Sequence, residues 1–372
     1  MRVLFTGGGT GGHVSPALAI AEIFKTYYKE CDVAFVGRKN GPENAAIKDA
    51  GYMLYTVDIS GFKRSLSIKN ISALFKIPFS LRQAGKIISD FNPDIIIGTG
   101  GYVSYPALRC GIRRKIPTLI HESNAYPGLV TRLLSKKCTA VLLGVESAAD
   151  CLKKEANAIY VGNPVRRDFY ASPKDKARAS LGLNKDEIYV ISFGGSGGAE
   201  KLNNTIAELM QAGYGKKVVH LHATGKKYYD EMIEKYPNLK EGKMKLVPYI
   251  NNMQMQLSAA DIAITRSGAM TVAELCASRT PSILIPSPNV AANHQFKNAE
   301  NMRKAGAALL LTEEELDSKK LKKAIEDLVL DKHKRQLMEK RLAVLSAHKT
   351  EKAILTAVNN VLKERTHNSA SN

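Results

Sequence analysis

Short apolar runs and helical periods alternate along this chain. Arg2–Thr6 is a β-rich run, followed at once by Gly7, Gly8, Gly9, Gly11 and Gly12. Apolar residues at 18, 20, 21, 23 and 24 then predict a helix over Pro16–Phe24. Val33–Val36 predicts a second strand. Asp94–Gly98 predicts a third, which feeds another glycine turn, Gly98-Thr-Gly-Gly101. Pro106–Cys110 opens a helix, and Thr118–Ile120 is a strand leading to His121-Glu122. The pattern then restarts, with a strand at Ile188–Phe193, a turn at Gly194-Gly-Ser-Gly-Gly198 and a helix at Leu202–Met210. Val218–His222, Ala259–Thr265 and Ser282–Pro286 are later strands, and Arg266-Ser-Gly268 precedes another helix. Such alternation predicts parallel sheets covered by helices. The expected fold class is α/β, two Rossmann-like doubly wound domains facing a central cleft. The chain breaks near Val161-Gly-Asn-Pro-Val-Arg166, which puts the domains at 1–163 and from 164 onward. Residues after about Ser318 are helical and highly charged, and the tail Thr366–Asn372 is expected to fray.

The length of 372 residues and a hydrophobic content of 44% suit two or three domains with sizeable cores. No apolar run approaches the roughly 18 residues that cross a bilayer, and the N-terminus does not read as a signal peptide. A cytoplasmic location is expected. The five cysteines (Cys31, Cys110, Cys138, Cys151, Cys276) are scattered without a CxxC pair. They are expected to be free thiols, with no metal site.

The net charge of +19 suits a polyanionic partner. Its distribution narrows the choice. Between Gly61 and His121 stand ten Lys and Arg residues, opposed within that window by Asp90 and Asp94. Ile68, Ile71, Leu74, Phe75, Phe79 and Leu81 alternate with the basic positions around Lys69–Lys86. An apolar stripe beside lysines suits an anionic membrane surface better than a nucleic-acid groove. The plainer alternative is an amphipathic helix with a solvated basic face.

Glycine turns ahead of helices present backbone N–H groups and the positive end of the helix dipole. Four of them in a basic chain (Gly7–Gly12, Gly98–Gly101, Gly194–Gly198, Ser267-Gly268) predict one or two ligands carrying phosphates. No GxxxxGK[ST] occurs, which argues against a P-loop enzyme. The first turn meets GxGxxG at Gly7, Gly9 and Gly12 only inside a run of glycines, which is not a clean fingerprint, and no acidic residue follows the second strand as a ribose ligand would. His13, at a helix start, is expected to be neutral and able to take a proton from a hydroxyl nucleophile, or else to bond only its own backbone. Glu274 either accepts the hydroxyls of a ribose or closes a capping box with Thr271. Asn293, His294, Gln295 and Asn298 suit sugar hydroxyls or a polar helix cap. Arg166 could offset diphosphate charge or form an ion pair. No D-x-D triplet occurs, so charge on a nucleotide diphosphate would fall to helix dipoles and arginine rather than to a metal.

Seven motifs in order carry a resemblance. They are Gly7-Gly-Gly-Thr-Gly-Gly-His13, Gly98-Thr-Gly-Gly-Tyr-Val-Ser104, His121-Glu-Ser-Asn124, Val161-Gly-Asn-Pro-Val-Arg166, Gly194-Gly-Ser-Gly-Gly-Ala199, Arg266-Ser-Gly-Ala-Met-Thr-Val-Ala-Glu274 and His294-Gln295. With these the chain resembles the MurG family of GT-B glycosyltransferases (family 28) over nearly its whole length. Those enzymes transfer N-acetylglucosamine (GlcNAc) from UDP-GlcNAc to undecaprenyl-pyrophosphoryl-MurNAc-pentapeptide (lipid I) in bacterial peptidoglycan synthesis.

The resemblance implies inverting, single-displacement transfer to the MurNAc 4-hydroxyl with no metal and no cofactor. It implies a donor site in the C-terminal half, 164–342. There Ser196 faces the nucleotide, Ile250 packs at the uracil and Glu274 takes the ribose. Ala269, Met270, Thr271 and Arg166 attend the diphosphate, and His294 and Gln295 read the GlcNAc hydroxyls. The N-terminal half binds lipid I, with Gly100, Gly101 and Tyr102 at the acceptor and Thr10, Gly11 and Gly12 at acceptor or donor diphosphate. His13 is the implied general base, with Glu122 and Asn124 in support. A last helix, about 343–364, packs back on the N-terminal domain. The protein sits peripherally on the cytoplasmic face of the membrane, with other cell-wall synthesis proteins as partners. The chain departs from the family at Ser123 and Gly197, where Gln is usual.

A UDP-GlcNAc 2-epimerase of the same fold, a membrane-bound UDP-sugar sensor and a basic nucleic-acid binder are the competing readings. The epimerase would not need the membrane stripe, the sensor would not need His13, and the nucleic-acid binder leaves the glycine turns unexplained.

Overall fold

The computed structural model describes residues 1–41, 43–61, 68–171, 173–195, 197–290, 293–346 and 349–370. It divides into two compact units, Met1–Arg166 with Ala347–Asn372, and Arg167–Ser346.

The first unit is built on β1 (Arg2–Thr6), α1 (Gly11–Tyr27), β2 (Asp32–Arg38), α2 (Glu43–Asp49), β3 (Met53–Val57), α3 (Ile68–Phe91), β4 (Ile95–Gly98), α4 (Tyr105–Arg113), β5 (Thr118–Glu122), α5 (Leu129–Leu134), β6 (Ala140–Leu143) and β7 (Ala158–Tyr160). Its seven strands run parallel in the order β3-β2-β1-β4-β5-β6-β7. Val3, Leu4 and Phe5 are all fully buried, as are Ile95, Ile96 and Ile97. Such runs form strands because both faces of a parallel sheet are covered.

On one face α3 supplies Ala84, Ile87, Ile88 and Phe91, a spacing that places all four on one side of a helix. On the other face Phe5 stacks on Phe35 at 5.2 Å and meets Phe24 edge-on at 6.0 Å. That face is closed by the last helix of the chain, which lends Ile354, Ala357, Val358 and Val361 to it. Each fully buried side chain of this kind contributes about 1.5–3 kcal/mol.

The second unit contains α6 (Asp168–Ala171), α7 (Lys174–Ser180), β8 (Ile188–Phe193), α8 (Glu200–Ala212), β9 (Val218–Ala223), α9 (Tyr229–Lys235), β10 (Met244–Val247), α10 (Met253–Ala259), β11 (Ile262–Thr265), α11 (Ala269–Ser278), β12 (Ser282–Leu284), α12 (His294–Lys304), β13 (Ala308–Leu310), α13 (Ser318–Leu330) and α14 (Lys332–Leu345). The returning helix, α15, is Thr350–Ala370. The six parallel strands are ordered β10-β9-β8-β11-β12-β13.

Three elements differ from the sequence pattern. α1 begins at Gly11, well before Pro16, so the glycine run contains the first helical turn and His13 is its third residue. Pro16 is accommodated inside that helix, where it lacks only the N–H that would reach the Gly12 carbonyl. Ala259 closes α10 instead of opening β11. The returning helix starts at Thr350 rather than near Ala343, because residues 343–345 end α14 in the second unit. The backbone is helical to Ala370, beyond the expected fraying point at Thr366.

Both sheets reverse strand order at their centre, at β1/β4 in the first unit and at β8/β11 in the second. A ligand crevice opens at the carboxyl ends of the strands at such a point. The four glycine turns follow β1, β4, β8 and β11, so each unit carries two of them at its switch point.

Candidate active site

In the first unit the two glycine turns interlock around His13. Thr99, in the second of them, grips the histidine twice. Its hydroxyl donates to the His13 carbonyl at 2.6 Å, and its own carbonyl lies 3.1 Å from His13 Nδ1. A carbonyl can only accept, so Nδ1 carries the ring proton and Nε2 keeps its lone pair. Burial pushes the His13 pKa below its ordinary value; Glu122 and the Thr99 carbonyl pull the other way and do not reverse it. The imidazole is therefore neutral at pH 7 with Nε2 as a base.

The glycines are required here by contact. A methyl on Gly100 (φ +102°) would lie 2.8 Å from His13 Nδ1. A methyl on Gly101 (φ +74°) would lie 2.2 Å from the Gly8 carbonyl oxygen and 3.1 Å from His13 Cδ2. The Tyr102 ring packs against Gly9 and Gly61. Thr10 caps α1 only through its backbone, and its hydroxyl makes no cap bond. Thr10, Gly11 and Gly12 are exposed at the start of α1, where the free N–H groups of a first turn can meet an anion, while His13 N donates to the Thr10 carbonyl at 3.1 Å.

Glu122 ends β5 and is buried. Its Oε1 accepts from Asn124 N and Nδ2 at 3.1 and 3.2 Å. Its Oε2 accepts from Gly128 N at 2.9 Å and Thr131 Oγ1 at 2.7 Å. Four donors occupy both oxygens, so Glu122 anchors the loop 122–131 beside His13 and is not placed to take a substrate proton. Asn124 spends its amide on the same carboxylate. His121 donates from Nε2 to the Gly162 carbonyl at 3.1 Å, and Ser123 Oγ lies 3.4 Å from its Nδ1. Ser123 thus completes a structural bond.

One anchoring residue escaped the sequence reading. Glu43 is 1% exposed and accepts from Gly9 N at 3.1 Å and Arg38 N at 2.7 Å. An acidic residue does follow the second strand, but it faces inward and holds the glycine turn. Its signal was the Gly41-Pro-Glu43 step after β2.

In the second unit the turns after β8 and β11 border a polar cavity of about 780 Å³, lined by Gly194, Gly198, Glu200, Arg266, Ser287 and Gln295 among others. Ser196 lies outside the described residues. Gly268 caps α11, and having no side chain it leaves the first-turn N–H groups of Ala269, Met270 and Thr271 uncapped by side chains. Thr271 is the third residue of the helix, so it does not cap it and no Thr271–Glu274 capping box forms. Glu274 is half-buried one turn further along.

Gln295 Oε1 accepts from Ser287 N at 2.9 Å, which leaves its NH₂ to donate. His294 opens α12 and is half-buried. Asn298 is not a sugar ligand through its amide nitrogen, which donates to the Ser267 carbonyl at 3.0 Å in a buried setting. Ile250 is buried just after β10. Arg166 is half-buried and closes the first unit. Arg266, which opens one of the seven motifs but was given no role from sequence, pairs with Glu313 and donates to the Ile285 and Pro286 carbonyls at 3.2 and 3.1 Å.

These two sites have clear relatives. Residues 3–143 match the glycosyltransferase family 28 N-terminal domain, and residues 189–355 match the family 28 C-terminal domain. A protein of Caldanaerobacter subterraneus is 42% identical over 332 residues, covering 88% of this chain and 91% of its own. The chain belongs to glycosyltransferase family 28. That relative is named UDP-N-acetylglucosamine–N-acetylmuramyl-(pentapeptide) pyrophosphoryl-undecaprenol N-acetylglucosamine transferase, as is one from Acetivibrio thermocellus, 37% identical over 98% of this chain and 99% of its own. The crystal structure of Acinetobacter baumannii MurG is similar at 25% identity with a TM-score of 0.67, covering 97% of this chain and 99% of that one. The two parallel-sheet units are thus the GT-B fold of family 28, and their glycine turns fall within the two matched domains.

Proposed function

We propose that this protein transfers GlcNAc from UDP-GlcNAc to the 4-hydroxyl of MurNAc in lipid I, with inversion, releasing UDP and lipid II. The identity of its family 28 relatives over most of both chains carries the reading. His13 supplies the chemistry it needs. Nε2 takes the proton as the acceptor oxygen attacks C1 of GlcNAc. The O4–C1 bond forms, the bond from C1 to the diphosphate oxygen breaks, and UDP leaves with the electron pair. Glu122 and Thr99 are positioning residues. The second unit holds the donor, with the diphosphate on the uncapped start of α11, the Gln295 NH₂ on the sugar and Glu274 on the ribose. Arg166 and the Gly194–Gly198 turn with Ser196 complete that site, and Ile250 backs the uracil.

Label from UDP-[¹⁴C]GlcNAc appearing in a soluble lipid I analogue in the presence of EDTA supports the reading. Donor binding without transfer, with free ManNAc released, moves it to the epimerase.

Glu274→Ala tests the ribose contact. Losing a hydrogen-bonded carboxylate costs about 1.5–3 kcal/mol, so KM for UDP-GlcNAc rises roughly 10- to 100-fold. A lower melting temperature with unchanged KM removes Glu274 from the donor site.

The same reading puts the protein on the cytoplasmic face of the membrane, alongside other cell-wall synthesis proteins. Among the described residues no helix is long and apolar enough to cross a bilayer. Phe75 and Phe79, four apart on α3, are 72% and 70% exposed and would dip into the interface. The side chains of Ile68, Ile71 and Leu74 lie outside the described residues, and Leu81 is half-buried. Lys76 is not free for lipid, because it pairs with Asp58 at 2.8 Å. Burying a Phe gains about 1.5–3 kcal/mol, so Phe75→Ser with Phe79→Ser weakens binding to phosphatidylglycerol vesicles at least roughly tenfold. Unchanged vesicle binding in sedimentation places the membrane face elsewhere.

A further inference from the structure

A line of buried polar side chains runs beneath the glycine turn after β8, and the proposed chemistry uses none of them. Tyr214 OH lies 2.5 Å from His220 Nδ1. His220 Nε2 lies 2.7 Å from Ser192 Oγ, which lies 2.7 Å from His222 Nδ1. His222 Nε2 is 3.1 Å from Asn203 Oδ1, and Asn203 Nδ2 donates to the Thr224 carbonyl at 2.8 Å. His220, His222, Ser192 and Thr224 are fully buried, and Tyr214 and Asn203 nearly so.

One carbonyl sets the direction of every bond in this line. The Thr224 oxygen can only accept, so the Asn203 nitrogen faces it and Oδ1 faces His222. Oδ1 also only accepts, so His222 carries its proton on Nε2 and takes the Ser192 hydroxyl proton at Nδ1. Ser192 then accepts from His220 Nε2–H, and His220 Nδ1 accepts from Tyr214. Each link is used once and none is left over. Burial keeps both imidazoles neutral, holding His222 down at about 3 and His220 well below its ordinary value. A matched buried line has a single geometry, whereas a slip in it strands a polar group at a cost of about 1–3 kcal/mol.

The line ends against the proposed donor turn. A methyl on Gly198 would stand 2.2 Å from the Thr224 carbonyl, and one on Gly225 would stand 2.7 Å from Gly198 N. Gly198 N in turn donates to the Gly195 carbonyl at 3.0 Å, closing the turn. With backbone packed this closely, a shift of Thr224 moves Gly198. Ser192 starts the same connection from the strand side, two residues before Gly194.

We infer that this line positions the Gly194–Gly198 turn for the donor's nucleoside diphosphate, with Ser192, His220, His222 and Asn203 acting through the Thr224 carbonyl. The inference rests on the second unit being the donor site. None of the four need touch substrate, so they are positioning residues.

The test is calorimetry of the full chain with UDP and UDP-GlcNAc, joined to steady-state kinetics with a soluble lipid I analogue. Ser192→Ala and His222→Leu raise the Kd for UDP and the KM for UDP-GlcNAc by about tenfold, while kcat at saturating donor stays within about threefold. His222→Gln keeps an N–H directed at Asn203 and recovers most of the affinity. Imidazole ¹⁵N spectra of the wild type show both histidines protonated on Nε2 and neutral at pH 5. Ser192→Ala removes a single oxygen and carries the test if His222→Leu fails to fold. Variants that melt earlier but keep wild-type Kd and KM overturn the inference and leave the donor site standing. A wild type that binds neither UDP nor UDP-GlcNAc overturns the donor reading itself, and the inference with it.

Discussion

His13→Ala lowers kcat by about 10²–10⁴-fold, the usual worth of a general base, and leaves the Kd for UDP-GlcNAc within about twofold. The split follows from placement. The imidazole sits at the switch point of the first sheet, and the donor residues are all assigned to the second unit apart from Arg166 and the turn Thr10–Gly12. Single-turnover kinetics against calorimetric donor binding measure it.

The pH profile adds an independent check. The base must be neutral to act, and burial has moved the His13 pKa below 6.5. Activity is therefore present above that lowered value and is lost as the pH falls through it. The acidic limb of kcat lies below pH 6.5 and disappears in His13→Ala. Thr99→Val keeps the carbonyl contact to Nδ1 but removes the hydroxyl clamp on the His13 backbone, so it lowers kcat without moving that limb. A variant His13→Ala with near wild-type kcat would take the base role away from this residue.

Gly101→Ala lowers kcat by about 100-fold, the cost of misplacing a reacting group by around 1 Å. The added methyl would lie 2.2 Å from the Gly8 carbonyl, a backbone atom, and 3.1 Å from the His13 ring. The two glycine turns must part to admit it, and φ at +74° strains any side chain there besides. Gly101 is assigned to the acceptor, so KM for UDP-GlcNAc changes far less than kcat. Gly85→Ala, on α3, is the control, since a methyl added there would meet only the Arg114 side chain at 3.5 Å, an ordinary contact. Equal losses at Gly85 and Gly101 would mean that a general effect of the added methyl, not the seat of His13, governs the rate.

Much of this was legible in the residues because it is local. Runs such as Val3-Leu4-Phe5 and Ile95-Ile96-Ile97 have to be buried on both sides, and a doubly wound parallel sheet is what does that. A glycine turn after such a strand faces the carboxyl end of the sheet whatever the rest of the chain does. The α/β class, the candidate turns and His13 could therefore be named from the chain alone, and the relatives bear out the family. Boundaries were less secure. The start of α1 was hidden because Gly11 and Gly12 have low helix propensity and only the packing of Val14, Ala17 and Leu18 pulls them into the helix.

What the sequence by itself determined was the pattern: two parallel-sheet units, four glycine turns at strand ends and a set of residues with the chemistry for sugar transfer. The tertiary structure alone decided which groups are spent and which are left to act. Glu122 looked like a catalytic carboxylate until four donors were found on it. Glu43 went unread until it was found bonded to Gly9 N. Ser192, His220 and His222 had no motif at all. Glu43 reaches Gly9 and Ser192 reaches His220 and His222 across long stretches of chain, and hydrogen-bond partners that distant leave no spacing to read. Glu122 bonds Asn124, Gly128 and Thr131 close by, but in an irregular loop whose path has no periodicity to read. Only the fold brings donor and acceptor within about 3 Å, and only then does the protonation state follow.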